Sequence, residues 1–306
     1  WAVDPLEGET DRMKAVSAAI RVWSKDRSLE VMPLSVVSPA AWNWPIELLA
    51  PFDEKVLFIA AERLKPVIQK AMPGRHLAPR VLLQHGFSQR AAALQFLEWS
   101  RQNDAQIIVV TSHGRRGFDR FRLGSFAELL ISHSEIPVMV LGAKTRPPER
   151  FATIAFPTDL SKQSRSGFDS AIEAARRFSA KLKIIHVSTR PKTPLYGDDF
   201  GIGLTADVIE KIWEEAEMDQ RRTGLDWAKH AHDLGVEAEF ISAERGDILG
   251  EWIAQLADRN GADLIYLTAS NGPLEQTFLG GTIRDVLATA KQPVLVVRSE
   301  KVKPSR

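Results

Sequence analysis

A chain of 306 residues, 44% hydrophobic and 26% charged, has the composition of a folded soluble protein and the length for two cores. Its formal charge is +1, with 19 Lys/Arg against 15 Asp/Glu over residues 1–148 and 21 against 24 over residues 149–306, a balance too even for a nucleic-acid surface. Cysteine is absent, which excludes disulfides and thiolate metal sites and suits a cytoplasmic setting, and no run approaches the roughly eighteen apolar residues of a membrane span.

Trp1-Ala2-Val3 reads as the tail of an apolar run, so the chain is expected to begin inside its first strand, with Asp4 where strand gives way to loop. Thr10 or Asp11 is placed to cap a helix whose apolar positions Met13, Val16, Ile20 and Trp23 recur at helical spacing. Leu29–Val37 reads as a strand in which Pro33 signals a bulge or a late start. Ser38–Pro51 holds Trp42 and Trp44 in an irregular stretch, and a helix follows over Phe52–Lys70 with Pro66 inside it. Arg80–Gln84 is a third strand, Ser88 caps a helix carrying Leu94 and Leu97, and Ile107–Val110 and Val138–Leu141 are the fourth and fifth strands.

Lys144–Arg150, with Pro147-Pro148, reads as a stiff linker between domains at 1–145 and 149–300. Beyond it the order repeats. Thr153–Phe156 is a strand, Ser161 begins a helix with Phe168, Ala171, Ile172, Ala175 and Phe178 on one face, and Leu182–Val187 is a strand. The loop Thr189–Thr205 precedes a long charged helix over Ala206–Leu234 and a strand at Glu237–Ile241. Asp247 is the expected cap of a helix with Ile248, Trp252, Ile253 and Leu256, and Leu264–Leu267 and Val294–Val297 are the closing strands.

The correspondence is closest between Ile107–Gly142 and Leu264–Arg298. Thr111 and Gly124-Ser125 recur as Thr268 and Gly281-Thr282, 157 residues on in each case (268 − 111, 281 − 124). Eleven residues then separate Ser125 from Pro137, and ten separate Thr282 from Pro293, so the one-residue slip is expected after the glycine. Short apolar strands alternating with helices give, in each copy, a doubly wound α/β fold, a parallel sheet covered on both faces. Its ligands sit beyond the C-terminal strand ends.

Gly124-Ser125 at a helix start offers backbone N–H groups and a hydroxyl, as a phosphate requires. Gly114 lets the preceding loop approach closely, Gly117 adds freedom, and Arg115, Arg116, Arg120 and Arg122 bring positive charge. An ordinary capped helix after a flexible loop explains the same residues without a ligand. In the second copy Asn271 stands in place of Gly114 and Glu275 replaces the basic character, so that half reads as structural first. A carboxylate there would repel a triphosphate unless a divalent ion intervened. Ser161, Asp159 and His186 could form a hydrolytic set, but no G-x-S-x-G elbow occurs, and His186 inside an apolar strand reads as a hydrogen-bonded core histidine.

With these motifs in hand, both halves resemble universal stress protein domains, and the whole resembles a tandem universal stress protein. Nucleotide-binding members of that family carry Gly, two residues, Gly, nine residues, then Gly with Ser or Thr. Here Thr111 and Thr268 replace the first Gly, and only Gly114 keeps the second. The resemblance implies a five-stranded parallel sheet of order 3-2-1-4-5 in each half, the halves pairing through their last strands. It puts the acidic residue after the first strand on Asp4 and Asp159, and the backbone that meets the base near Val36-Val37 and Val187-Ser188. The implied ligand set is Asp4, Val36, Val37, Thr111, Gly114, Arg115, Gly124 and Ser125, with Asp159, Val187, Thr268, Gly281 and Thr282 as the second-copy counterparts. ATP or AMP is the implied ligand, with Mg as the ion of a triphosphate, and the first copy is the stronger candidate.

The expected role is a stress-response binding or regulatory module with at most weak ATP hydrolysis. The alternative is a structural or interaction module, or a binder of an apolar or lipid-like ligand through the Trp-bearing segment. Trp42, Trp44 and Phe52 are also the candidate patch for a homodimer.

Overall fold

The computed structural model describes residues 1–4, 11–25, 29–37, 53–72, 76–84, 88–112, 123–188, 206–244, 247–269 and 280–298. The first half runs α1 (Asp11–Trp23), β1 (Leu34–Val37), α2 (Asp53–Ala71), β2 (Arg80–Leu83), α3 (Gln89–Gln102), β3 (Ile108–Thr111), α4 (Ser125–His133) and β4 (Val138–Leu141). The second runs β5 (Thr153–Pro157), α5 (Ser164–Phe178), β6 (Lys181–Val187), α6 (Ala206–Asp233), β7 (Ala238–Ala243), α7 (Leu249–Arg259), β8 (Leu264–Ala269), α8 (Gly281–Thr289) and β9 (Val294–Arg298).

Seven strands form one sheet in the order β3-β4-β9-β8-β5-β6-β7, and β1 pairs with β2 in parallel. Residues 1–3 join the two sheets. Ala2 bridges Leu34 in parallel, Leu34 N–H donates to Trp1 O (2.8 Å), and Ala2 N–H donates to Val109 O on the other side (2.8 Å). Counting that segment as the first strand, each half has the expected order 3-2-1-4-5, and all pairings within a half are parallel. The halves meet where β4 and β9 pair antiparallel, which removes two sheet edges that would otherwise stand open.

Alternate strand residues feed two apolar layers. Met139 and Leu141 of β4 and Leu295 of β9 join a core with α1, α2, α5 and α6, while Val138, Val140, Val294 and Val296 join a second core with α3, α4, α7 and α8. Both layers cross from one half to the other. Trp23 at the end of α1 meets Phe178 at the end of α5 (5.2 Å between rings), and Arg177 lies over the Trp23 ring at 4.0 Å while donating to Trp23 O.

Several expectations shift by a few residues for local reasons. β1 starts immediately after Pro33, which has no N–H for a ladder. Ser88 caps α3, accepting from Ala91 N–H at 3.2 Å, but Leu94 is 42% exposed because the buried stripe is Ala92, Ala93, Phe96 and Ser100. Leu94 lies about 100° round the helix from the edge of that stripe at Ala93. Ser161 does not begin α5, since a turn through Leu160 in the left-handed region (φ 60°) delays the helix to Ser164. Asp247 does not occupy the cap of α7. Ile248 does, without a side-chain hydrogen bond, and is 48% exposed rather than part of the buried face.

The repeat register also differs from the expectation. β3 and β8 correspond with an offset of 157, since Ile108 pairs with Val138 as Ile265 pairs with Val294, yet those partners are 156 apart (294 − 138). The helix caps Gly124 and Gly280 are also 156 apart (280 − 124). The missing residue therefore lies before the helix, in the loop, and Gly280 rather than Gly281 is the counterpart of Gly124. Two pairs of counterparts 156 apart (295 − 139, 284 − 128) face one another across the seam. Met139 pairs with Leu295, and Arg284 is bonded to Glu128. That places a pseudo-two-fold axis through the β4–β9 pair.

Candidate functional site

β5 leads to α5 on one face of the sheet and its neighbour β8 leads to α8 on the other. The chain thus leaves the two strand ends in opposite directions and opens a crevice between them. A cleft of about 730 Å³ occupies this position, within the ~300–1,000 Å³ typical of small-molecule sites.

At the β5 end, Thr158 Oγ1 accepts from Leu160 N–H (3.0 Å), and Asp159 accepts from Ser161 N–H (2.9 Å) and Ser164 Oγ (2.5 Å). Burial pushes the Asp159 carboxyl up, but those hydrogen bonds outweigh it and hold the group below its ordinary value. Beside it, His186 is 3% exposed with Nδ1 3.0 Å from Thr158 O. A carbonyl only accepts, so Nδ1 carries the hydrogen and Nε2 of the neutral ring is left as an acceptor. Among the described residues Nε2 is buried without a partner, and His186 lines the cleft. A buried unpaired polar atom costs about 1–3 kcal/mol, so a ligand hydroxyl or amino group is favoured there.

The opposite end is the start of α8. Gly280 holds the cap position with no side-chain hydrogen bond, leaving the first-turn amides of α8 uncapped by a side chain. Among the described residues a Cβ on Gly280 or Gly281 would meet nothing within 4 Å, so their packing does not require glycine at either position. Amides at such a helix start attract an anion.

Ile185, Val187, Leu249, Ile253 and Leu267 make an apolar wall between the two ends. Two close approaches set the frame. Gly167 on α5 lies against Thr268, where a Cβ would stand 2.4 Å from Thr268 Cγ2, and Gly250 on α7 lies against the first turn of α8, 2.5 Å from Thr282 O by the same measure.

Of the predicted residues, Asp159, Val187, Thr268 and Thr282 line this one cleft, and Gly281 lies between the lining residues Gly280 and Thr282. In the first half, Asp4 follows the buried Val3, Val36 and Val37 end β1, Thr111 ends β3 with 8% exposure, Gly124 caps α4 and Ser125 is its exposed first residue. Gly124 N–H donates to Ser112 O at 2.6 Å, tying the cap to the end of β3. Gly114 and Arg115 lie outside the described residues, as do Gly117, Arg116, Arg120, Arg122, Asn271, Glu275, Trp42, Trp44 and Phe52. The cleft in the second half is built from strand ends and helix starts, elements indifferent to the loop composition that made that half read as structural.

The lining residues outside the expected ligand set include His186, Arg298 and Ser132. His186 shows only as a polar residue in an apolar strand, Arg298 only as a charge ending one. Ser132, on α4 of the first half, carries no local signal at all. The imagined hydrolytic set does not assemble as a chain, because His186 Nδ1 faces a carbonyl and the Ser161 hydroxyl lies 3.2 Å from that of Ser164. Among the described residues no helix is long and apolar enough to cross a membrane, and no three His, Asp or Glu side chains gather as a metal site.

Comparison with known proteins agrees with this architecture. The sequence pattern of the universal stress protein family matches residues 2–142 and again 150–298. A universal stress protein of Methanocaldococcus jannaschii is 26% identical over 153 residues, 49% of this chain and 84% of that protein. Two crystal structures share the fold over both halves. A universal stress protein from Archaeoglobus fulgidus has a TM-score of 0.57 at 18% identity, covering 99% of this chain and 97% of its own. A functionally unknown protein from Pseudomonas aeruginosa has a TM-score of 0.57 at 15% identity, covering 97% and 91%. With the family pattern written twice along it, the chain belongs to the universal stress protein family, as two such domains in tandem.

Proposed function

We propose that this universal stress protein binds an adenine nucleotide, ATP or AMP, in the cleft above β5, β6 and β8, and acts as a binding or regulatory module. The observation that carries this reading is a single cleft with a bare helix start at one end and unsatisfied acceptor chemistry at the other. The first-turn amides of α8 suit a phosphate, the apolar wall suits a planar base, and the His186 Nε2 acceptor suits a ribose hydroxyl or base amino group. Mg²⁺ is the ion a triphosphate would bring with it. The same reading extends to the first half, where Gly124 and Ser125 open α4 in the way Gly280 and Gly281 open α8.

Mass spectrometry of the gently purified chain, followed by calorimetry with AMP and ATP, tests this. The expected result is a co-purified or titratable nucleotide with affinity on the order of micromolar, and a Gly280→Leu variant that keeps the fold but loses the site nearest α8. An absence of binding by either nucleotide in the unmodified chain refutes the reading.

A further inference from the structure

The cleft of the second half is closed on one side by the first. Ile131 and Ser132, near the end of α4, line it together with Arg298, the last residue of β9. Ser132 is 5% exposed, and its hydroxyl is buried without a hydrogen-bond partner among the described residues. Other buried helical serines behave differently. Ser17 Oγ donates to Met13 O and Ser100 Oγ to Phe96 O, each one turn back. Arg298 Nε is likewise buried without a partner among the described residues. Its burial draws the guanidinium below its ordinary value, while the nearby Glu135 charge opposes that; Glu135 itself is exposed. A guanidinium stays protonated under any working condition, so this corner holds a fixed positive charge and two unused polar groups in one wall of the cleft.

We propose that Arg298 and Ser132 form an anion subsite built by both halves, which takes a phosphoryl group beyond the one that meets the α8 amides. The proposal rests on the nucleotide reading of the cleft and sharpens it: the preferred ligand is a nucleoside triphosphate rather than a monophosphate. The chemistry is that of a charge-assisted hydrogen bond from arginine to phosphate oxygen, with the serine hydroxyl as a second donor. The α4 carbonyls near Ser132 carry partial negative charge, which the full positive charge of Arg298 exceeds.

The test is calorimetry of ATP and AMP with the full chain, with EDTA present so that no divalent ion bridges the phosphates. The unmodified protein is expected to bind ATP at least tenfold more tightly than AMP. In R298Q that ATP-to-AMP ratio falls about tenfold, the scale of one charge-assisted hydrogen bond, and in S132A it falls severalfold. S132A removes one oxygen and keeps the test open should R298Q unfold. A ratio near one in the unmodified protein, or a ratio unmoved in both variants, overturns the subsite while leaving AMP binding in the cleft intact, and assigns Arg298 to the end of α4 alone. Failure of both nucleotides to bind removes the cleft reading and the subsite together.

Discussion

Replacing Gly167 with alanine drives a methyl group into Thr268. The added Cβ would lie 2.4 Å from Thr268 Cγ2, 2.9 Å from Oγ1 and 3.0 Å from Cβ. Carbon pairs are comfortable at ~3.5–4.0 Å, so α5 or the end of β8 must give way by about an ångström. Overpacking of this kind costs about 1–3 kcal/mol, and the better helix propensity of alanine returns roughly 1 kcal/mol. The net expectation is a loss of about 0–2 kcal/mol in G167A. T268A deletes both atoms nearest the new methyl, leaving only the 3.0 Å contact. The double variant G167A/T268A is therefore more stable than the two single losses predict, with a coupling of about 1–2 kcal/mol. Urea unfolding of the four proteins, followed by circular dichroism, measures this cycle. A G167A protein more stable than its parent, showing the helix gain unopposed, refutes the close packing between α5 and the end of β8.

Two further outcomes follow from the core. Burial raises the Tyr266 phenol to about 12, although the hydrogen bond with Ser170 pulls the other way and the Glu173 charge adds to the rise. The folded chain then holds a proton that the unfolded chain releases near its ordinary value of 10.0. Stability is full below pH 10, declines toward pH 12, and in Y266F loses that alkaline decline; an unchanged decline by urea titration across this window contradicts the assignment. Met139 is fully buried opposite Leu295 on the pseudo-two-fold axis, so M139A is expected to cost about 2–5 kcal/mol and to lower the midpoint of a single transition, because both apolar layers cross the seam. Two separate transitions in the parent protein, with only one moved, would show that the halves unfold independently.

Much of the fold is legible before any coordinates. The spacing of Met13, Val16, Ile20 and Trp23 marks α1, Pro33 marks the start of β1, and the apolar runs at Val138 and Val294 mark the strands that join the halves. Those signals are local: each depends on which side of one element meets the core. Leu94 and Ile248 are apolar yet exposed, because an apolar residue does not report which side of its helix is covered when neighbouring residues supply the buried stripe. The slip in the repeat was misplaced because adjacent glycines at 280 and 281 align equally well with Gly124, and only strand pairing and helix caps distinguish them.

The site divides along the same line. Asp159, Val187, Thr268 and Thr282 could be named from the repeat and the family resemblance, since strand ends and helix starts recur at fixed places along the chain. Ser132 and Arg298 could not, being 166 residues apart (298 − 132) and brought to one wall only when β4 pairs with β9. The sequence by itself determined a doubled α/β chain, because alternation and helical period are short-range properties of the residues. The tertiary structure alone decided which residues of one half complete the cleft of the other, because that depends on an antiparallel pairing between segments whose separation in the chain leaves no local trace.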